Sequence, residues 1–194
     1  MVLGKSIISR NIGLLFSENN NKTIIIDLNY KNINNIIFNL EKNKEKYIYK
    51  IKQNLFYINF YDINLSKLNY FFNQIENDFE KIIIDADFKN KYFKYFLKKN
   101  SKKILIFEPN LTEIKKIRNL LKPNNYLENY FIILNKININ SIDEKIIEKI
   151  FNKKIIGKLK YSKKYNLIAN KKNKNIIDKK KYLKIIENIR KEKI

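Results

Sequence analysis

The stretch GKSIISRNIGLLFSENNNKTIIIDLN, Gly4 to Asn29, decides how the rest of the chain is read. Gly4-Lys5-Ser6 has the form of the end of a phosphate-binding loop. In such a loop backbone N–H groups cradle phosphate oxygens, the lysine reaches the outer phosphates and the hydroxyl binds Mg2+. The loop must open a helix, whose N-terminal dipole favours an anion. Ile8, Ile12, Leu15 and Phe16 share one face at helical spacing, so the sequence supplies that helix. Then comes KTIIIDLN, Lys22 to Asn29, a continuous apolar run bounded by polar residues. Runs of this length fit strands buried on both faces, as in parallel sheets.

A G-K-S triplet alone is weak evidence in a chain so rich in lysine. The loop also normally follows a buried strand and several glycines, and only three residues precede Gly4. Loss of a central strand would leave buried main-chain groups unpaired, at about 1–3 kcal/mol each, against a total stability of about 5–15 kcal/mol. The expectation is a start placed too late, with in-frame DNA before Met1 encoding an apolar strand plus glycines.

Three further apolar runs extend the pattern: KIIIDAD (Lys81 to Asp87), KILIFEPN (Lys103 to Asn110) and YFIILNK (Tyr130 to Lys136). Between them lie helical faces: Leu65, Leu68, Phe72, Ile75 and Phe79; Leu111, Ile114, Ile117, Leu120 and Leu121; Ile142, Ile146, Ile147 and Ile150. Tyr47 to Phe60 alternates around Gln53-Asn54 as two short strands, and Lys153 to Tyr161 reads as one more. Ser141 with Glu144 forms a capping box. Asn110 caps the helix that Pro123 closes, with Glu113 as its box partner. Alternating strands and helices predict an α/β fold, a mostly parallel sheet with helices on both faces, apparently lacking its first core strand. Without a repeat or a Pro/Gly linker, residues 1–194 read as one domain, ending in an amphipathic helix over 179–194.

Composition bounds the chemistry. The 194 residues contain no Cys and no His, which excludes disulfides, thiolate metal sites and His-dependent nucleophiles, and leaves a metal only oxygen ligands. No run reaches the roughly 18 apolar residues of a membrane span, and no secretory leader is visible. A cytoplasmic protein is the default reading. The net charge is +22, from 41 Lys and Arg against 19 Asp and Glu. Nucleic acid or an anionic membrane is one reading. The weightier one is codon bias, because Asn, Ile, Lys, Tyr and Phe crowd the chain while Gly and Pro are scarce. Weak, salt-sensitive polyanion binding follows in either case.

Phosphate chemistry has a second requirement, an acid ending a buried strand to hold Mg2+ through water. KIIIDAD supplies Asp85 at the strand's C-terminal end, the edge where open α/β sheets place ligands. In this order the segments resemble the MinD/ParA superfamily of deviant-Walker, P-loop ATPases. Asn54 to Phe88, Ile104 to Lys122 and Ile132 to Ile176 look like its CpaE/TadZ-like pilus-assembly branch. The resemblance runs from Gly4 to about Ile177 and rests on five moderate matches in order.

The resemblance implies an ATP- and Mg2+-binding homodimer that organises Flp/Tad-type pilus assembly with partner proteins at the inner membrane, membrane-associated or at a cell pole. It places Gly4, Lys5 and Ser6 on the nucleotide phosphates, with Lys5 also catalytic. Ser6 and Asp85 fall on the metal, Asn135 on the adenine base, and Asp27 on the first, catalytic acid of a D-x-D pair. The departures weigh against hydrolysis. The family's early signature lysine is absent, and Asn29 stands at the second acid, where an amide cannot take a proton. Lys160 replaces a proline, and the glycine after Ala169-Asn170 is Lys172 or missing. The alternatives are a non-catalytic scaffold of the same fold and a basic ParA-like nucleic-acid partner. For the tail, packing on the domain outweighs membrane binding.

Overall fold

The computed structural model describes residues 3–29, 48–59, 65–88, 90, 92–99, 101–122, 130–161 and 179–191. The chain divides into two compact units, Met1–Phe93 with Lys164–Lys179, and Lys94–Lys163 with Lys180–Ile194. Pro123, Ala169-Asn170 and the Asn170 to Asn175 run lie outside the described residues.

In the first unit, helix α1 (Leu3–Glu18) leads into strand β1 (Thr23–Asp27), followed by β2 (Ile48–Lys52), β3 (Leu55–Asn59), α2 (Leu65–Asp78) and β4 (Lys81–Asp85). The sheet order is β2-β3-β1-β4. β1 is parallel to both its neighbours, and β2 joins β3 as an antiparallel hairpin through Gln53-Asn54. β1 is buried along its whole length because α1 covers one face and strands flank both sides. Gly13 permits this close approach, since a Cβ there would lie 2.7 Å from Ile25 Cδ1. Ile25, Leu55 and Tyr57 meet Leu14 of α1 beneath it. Fully burying each such side chain contributes about 1.5–3 kcal/mol.

Helix α3 (Phe93–Lys98) spans the boundary in sequence. The second unit continues with β5 (Lys103–Phe107), α4 (Leu111–Leu121), β6 (Tyr130–Ile137), α5 (Glu144–Phe151), β7 (Ile155–Lys160) and α6 (Lys179–Lys191). Its sheet, β5-β6-β7, is wholly parallel. The α/β class with mostly parallel strands and flanking helices is therefore as the sequence predicts. β4 and β5 are edge strands of their sheets. Their isoleucines and leucines are only half-buried, in contrast with β1.

Side-chain caps start α4 and α5. Asn110 Oδ1 accepts from the N–H of Glu113 at 2.9 Å, as expected. Glu113 itself does not complete a box; its carboxylate pairs with Lys116. The Ser141 box is corrected. Asp143 caps α5 by accepting from Lys145 N–H at 2.8 Å, while Ser141 Oγ accepts from Asn138 N–H. α5 thus starts later than the box implies, and its buried pair is Ile147 and Phe151, with Ile146 and Ile150 exposed. Leu111, the first residue of α4, is also exposed. Asn152 ends α5 in the left-handed region, φ 48°, the place usually given to glycine.

α6 packs its apolar side, Tyr182, Ile185 and Ile186, into the second unit. Gly157 of β7 makes room, since a Cβ there would meet Ile185 Cγ1 at 2.7 Å. The apolar stripe is spent on the core, leaving lysines outward. No described helix is long and apolar enough to cross a membrane.

Candidate functional site

β1 and β4 carry the same quartet, three isoleucines and an aspartate, paired in register so that Asp27 lies beside Asp85. Parallel neighbours are about 4.8 Å apart, so two carboxylates share one sheet edge, the C-terminal one. Both are buried, Asp27 fully and Asp85 to 5% exposure. Like charges so close need donors.

Asp27 accepts from donors on both its oxygens. Asn29 gives its backbone N–H (2.9 Å) and side-chain Nδ2 (3.0 Å) to Oδ1, and Tyr57 OH donates to Oδ2 at 3.2 Å. Burial, then the negative charge of Asp27, drives the Tyr57 phenol far above its ordinary range, so it stays protonated as a donor. Asn29 Nδ2 also reaches the Asp85 carbonyl at 3.2 Å, and Leu28 N–H donates to the same carbonyl at 2.9 Å. The end of β4 is thereby clamped to the end of β1.

α1 meets this edge with its first turns. Gly4, Lys5 and Ser6 lie within the helix, where the leading N–H groups have no intrahelical acceptor. Lys5 is half-buried. Ser6 is fully buried, and its Oγ has no hydrogen-bond partner among the described residues. One turn on, Ser9 Oγ lies 3.2 Å from Asp85 Oδ2 and 3.0 Å from the Ser6 carbonyl. Ser9 therefore links the turn that carries Ser6 to the end of β4. A buried hydroxyl without a partner on that turn, and a carboxylate one serine away, are oxygen ligands of the kind a hard cation takes.

The other residue named from sequence, Asn135, belongs to the second unit. It is half-buried near the end of β6, where pairing with β7 shifts register between Leu134 and Ile137. Its neighbour Lys136 has φ 55° and pairs with Glu108. The bulge re-aims the end of β6. Sequence reasoning did not find Ser9 or Tyr57. Ser9 carried a signal, because i+3 spacing from Ser6 puts it on the same helical face. Tyr57 carried none without the strand order.

No family model and no curated protein matches the chain. Solved structures do. The MinD cell division protein of Aquifex aeolicus is 22% identical, with 99% of this chain and 94% of that one covered, at a TM-score of 0.77. The septum site-determining protein MinD complexed with Mg-ADP from Pyrococcus horikoshii is 13% identical, covering 98% and 92%, at 0.73. A putative plasmid partition protein from Borrelia burgdorferi bound to AMPPNP is 19% identical, covering 94% and 92%, at 0.66. The chain has the fold of these MinD- and ParA-type proteins.

Proposed function

We propose that this chain is a MinD/ParA-type ATP-binding protein that acts, as a homodimer, as a localisation and assembly factor for a Flp/Tad-type pilus. The observation that carries the nucleotide reading is the orphaned, buried hydroxyl of Ser6 on the first turn of α1, a turn that Ser9 links to Asp85 at the C-terminal end of β4. A buried polar atom without a partner costs about 1–3 kcal/mol, and a ligand would remove that cost. Gly4 and Lys5 would hold phosphates, and Ser6 and Asp85 Mg2+; a contact of Asn135 with the adenine base rests on the sequence resemblance alone. Bound Mg2+ would neutralise phosphate charge.

Turnover is the weak part of the reading. Asn29 has no carboxylate to take a proton. Both Asp27 oxygens accept hydrogen bonds from Asn29 and Tyr57, which suits a structural anchor better than a base. These contacts favour the second reading, a scaffold that keeps the fold and has lost hydrolysis. The pilus role rests on the sequence resemblance, and with it the inner-membrane partners and a cytoplasmic, membrane-associated or polar location.

Calorimetric titration of ATP with Mg2+ tests the conclusion. The expected result is saturable binding that falls at least about tenfold in Lys5→Ala. Identical heats for both proteins would remove the nucleotide reading. A basic partitioning role would instead show DNA binding that collapses between two salt concentrations.

A further inference from the structure

We propose that Ser9 is the positioning residue for the divalent cation, holding the Asp85 carboxylate in the orientation from which it serves the metal; this rests on the nucleotide reading above. The comparison within α1 is informative. Ser17 Oγ makes the ordinary local bond of a helical serine, to the Leu14 carbonyl at 2.9 Å. Ser9 makes the same bond to Ser6, and also lies 3.2 Å from a carboxylate oxygen 76 residues away in sequence.

A hydroxyl carries one hydrogen, so Ser9 serves one acceptor at a time. The Ser6 carbonyl lies in an α-helix, where it already has the backbone acceptor role of its turn. The carboxylate oxygen is the acceptor of the longer-range bond, at 3.2 Å. The main chain of Asp85 is already fixed by Leu28 and Asn29 at its carbonyl. Ser9 acts on the side chain itself, at Oδ2, where rotation sets the direction the carboxylate faces. Ser9 is 8% exposed, and Ile7 and Ile8 before it are buried, so water has little access to replace the hydroxyl. Ser9 thus couples the residue that offers a hydroxyl to the cation, Ser6, with the residue that offers a carboxylate.

The test uses Mn2+ as a spectroscopic probe, titrated with ATP into the full chain and read by the electron paramagnetic resonance of free Mn2+. Wild type, Ser9→Ala and Ser9→Thr are compared, with metal-free ATP binding measured alongside by calorimetry. Ser9→Ala is expected to weaken Mn2+ retention about tenfold, while metal-free ATP binding changes by less than about twofold. Ser9→Thr, which keeps the hydroxyl, is expected to restore retention. Equal Mn2+ retention in wild type and Ser9→Ala overturns the proposal and leaves the nucleotide reading standing. Equal losses with and without metal, or a threonine variant as weak as alanine, also overturn it, since the role is then only structural. A wild type that retains no Mn2+ with ATP removes the nucleotide reading, and this inference falls with it.

Discussion

The two units solve the same folding problem with different interiors. Tyrosines aside, every buried polar or charged side chain among the described residues lies between Ser6 and Asp85, in the first unit. The corresponding strand ends of the second unit carry Glu108 and Lys136, paired with each other but partly open to solvent. Burying a polar group without a partner is costly, and a satisfied one gains little over an apolar side chain. The first unit buries such groups at both ends of β1, with Asp27, Asn29 and Asp85 at the C-terminal edge and Thr23 at the start, and the second keeps an apolar core. Among the described residues the buried carboxylates, Asp27 and Asp85, belong to the first unit.

The most direct way to break this comparison is Asp27→Ala. The change removes the acceptor of Tyr57 OH and of both Asn29 donors, and should cost about 3–5 kcal/mol in urea unfolding. A loss below about 1 kcal/mol would mean that the buried edge is not energetically distinct. The alkaline limb sharpens the contrast next. Tyr57 keeps its proton in the folded chain well above its ordinary pKa. The unfolded chain loses that proton near pH 10. The contribution is whole below about pH 10 and declines above it, by about 1.4 kcal/mol per pH unit. Tyr57→Phe should flatten the stability profile there. Tyr130, in the second unit, is also raised by burial but donates only to a carbonyl. Tyr130→Phe should flatten the profile less. The smallest effect is expected for Glu108→Ala, within about 1 kcal/mol, because a partly exposed ion pair contributes little. A cost equal to that of Asp27→Ala would erase the distinction between the units.

Much of the fold was legible because its strands are uninterrupted apolar runs with polar ends. KTIIIDLN, KIIIDAD, KILIFEPN and YFIILNK each contain an observed strand, and Gln53-Asn54 turns the hairpin. The helix that starts at Glu144 was harder. Ser141 and Asp143 are both competent caps, and the choice depends on how the preceding turn uses Ser141. Of the expected face Ile142, Ile146, Ile147 and Ile150, Ile147 is buried and Ile146 and Ile150 are exposed, and Phe151 joins Ile147 instead. Ser6 and Asp85 could be named from their strand and helix context. Their setting could not, because Tyr57 and Asn29 reach the edge only through a strand order and register that local pattern does not specify. Asn in left-handed positions, at Asn20 and Asn152, was hidden by the scarcity of glycine.

The matched quartets of β1 and β4 have a consequence for alignment. Isoleucine faces isoleucine at three successive levels, so side-chain shape there does not distinguish the native pairing from one displaced along the strands. The aspartates break that degeneracy, because a one-residue slide would set Asp27 against Ile84 or Asp85 against Ile26 and turn a side chain to the opposite face. The aspartate pair that closes the strands therefore also favours the native register. Substitutions made there to probe ligand binding will report on mispaired chains as well.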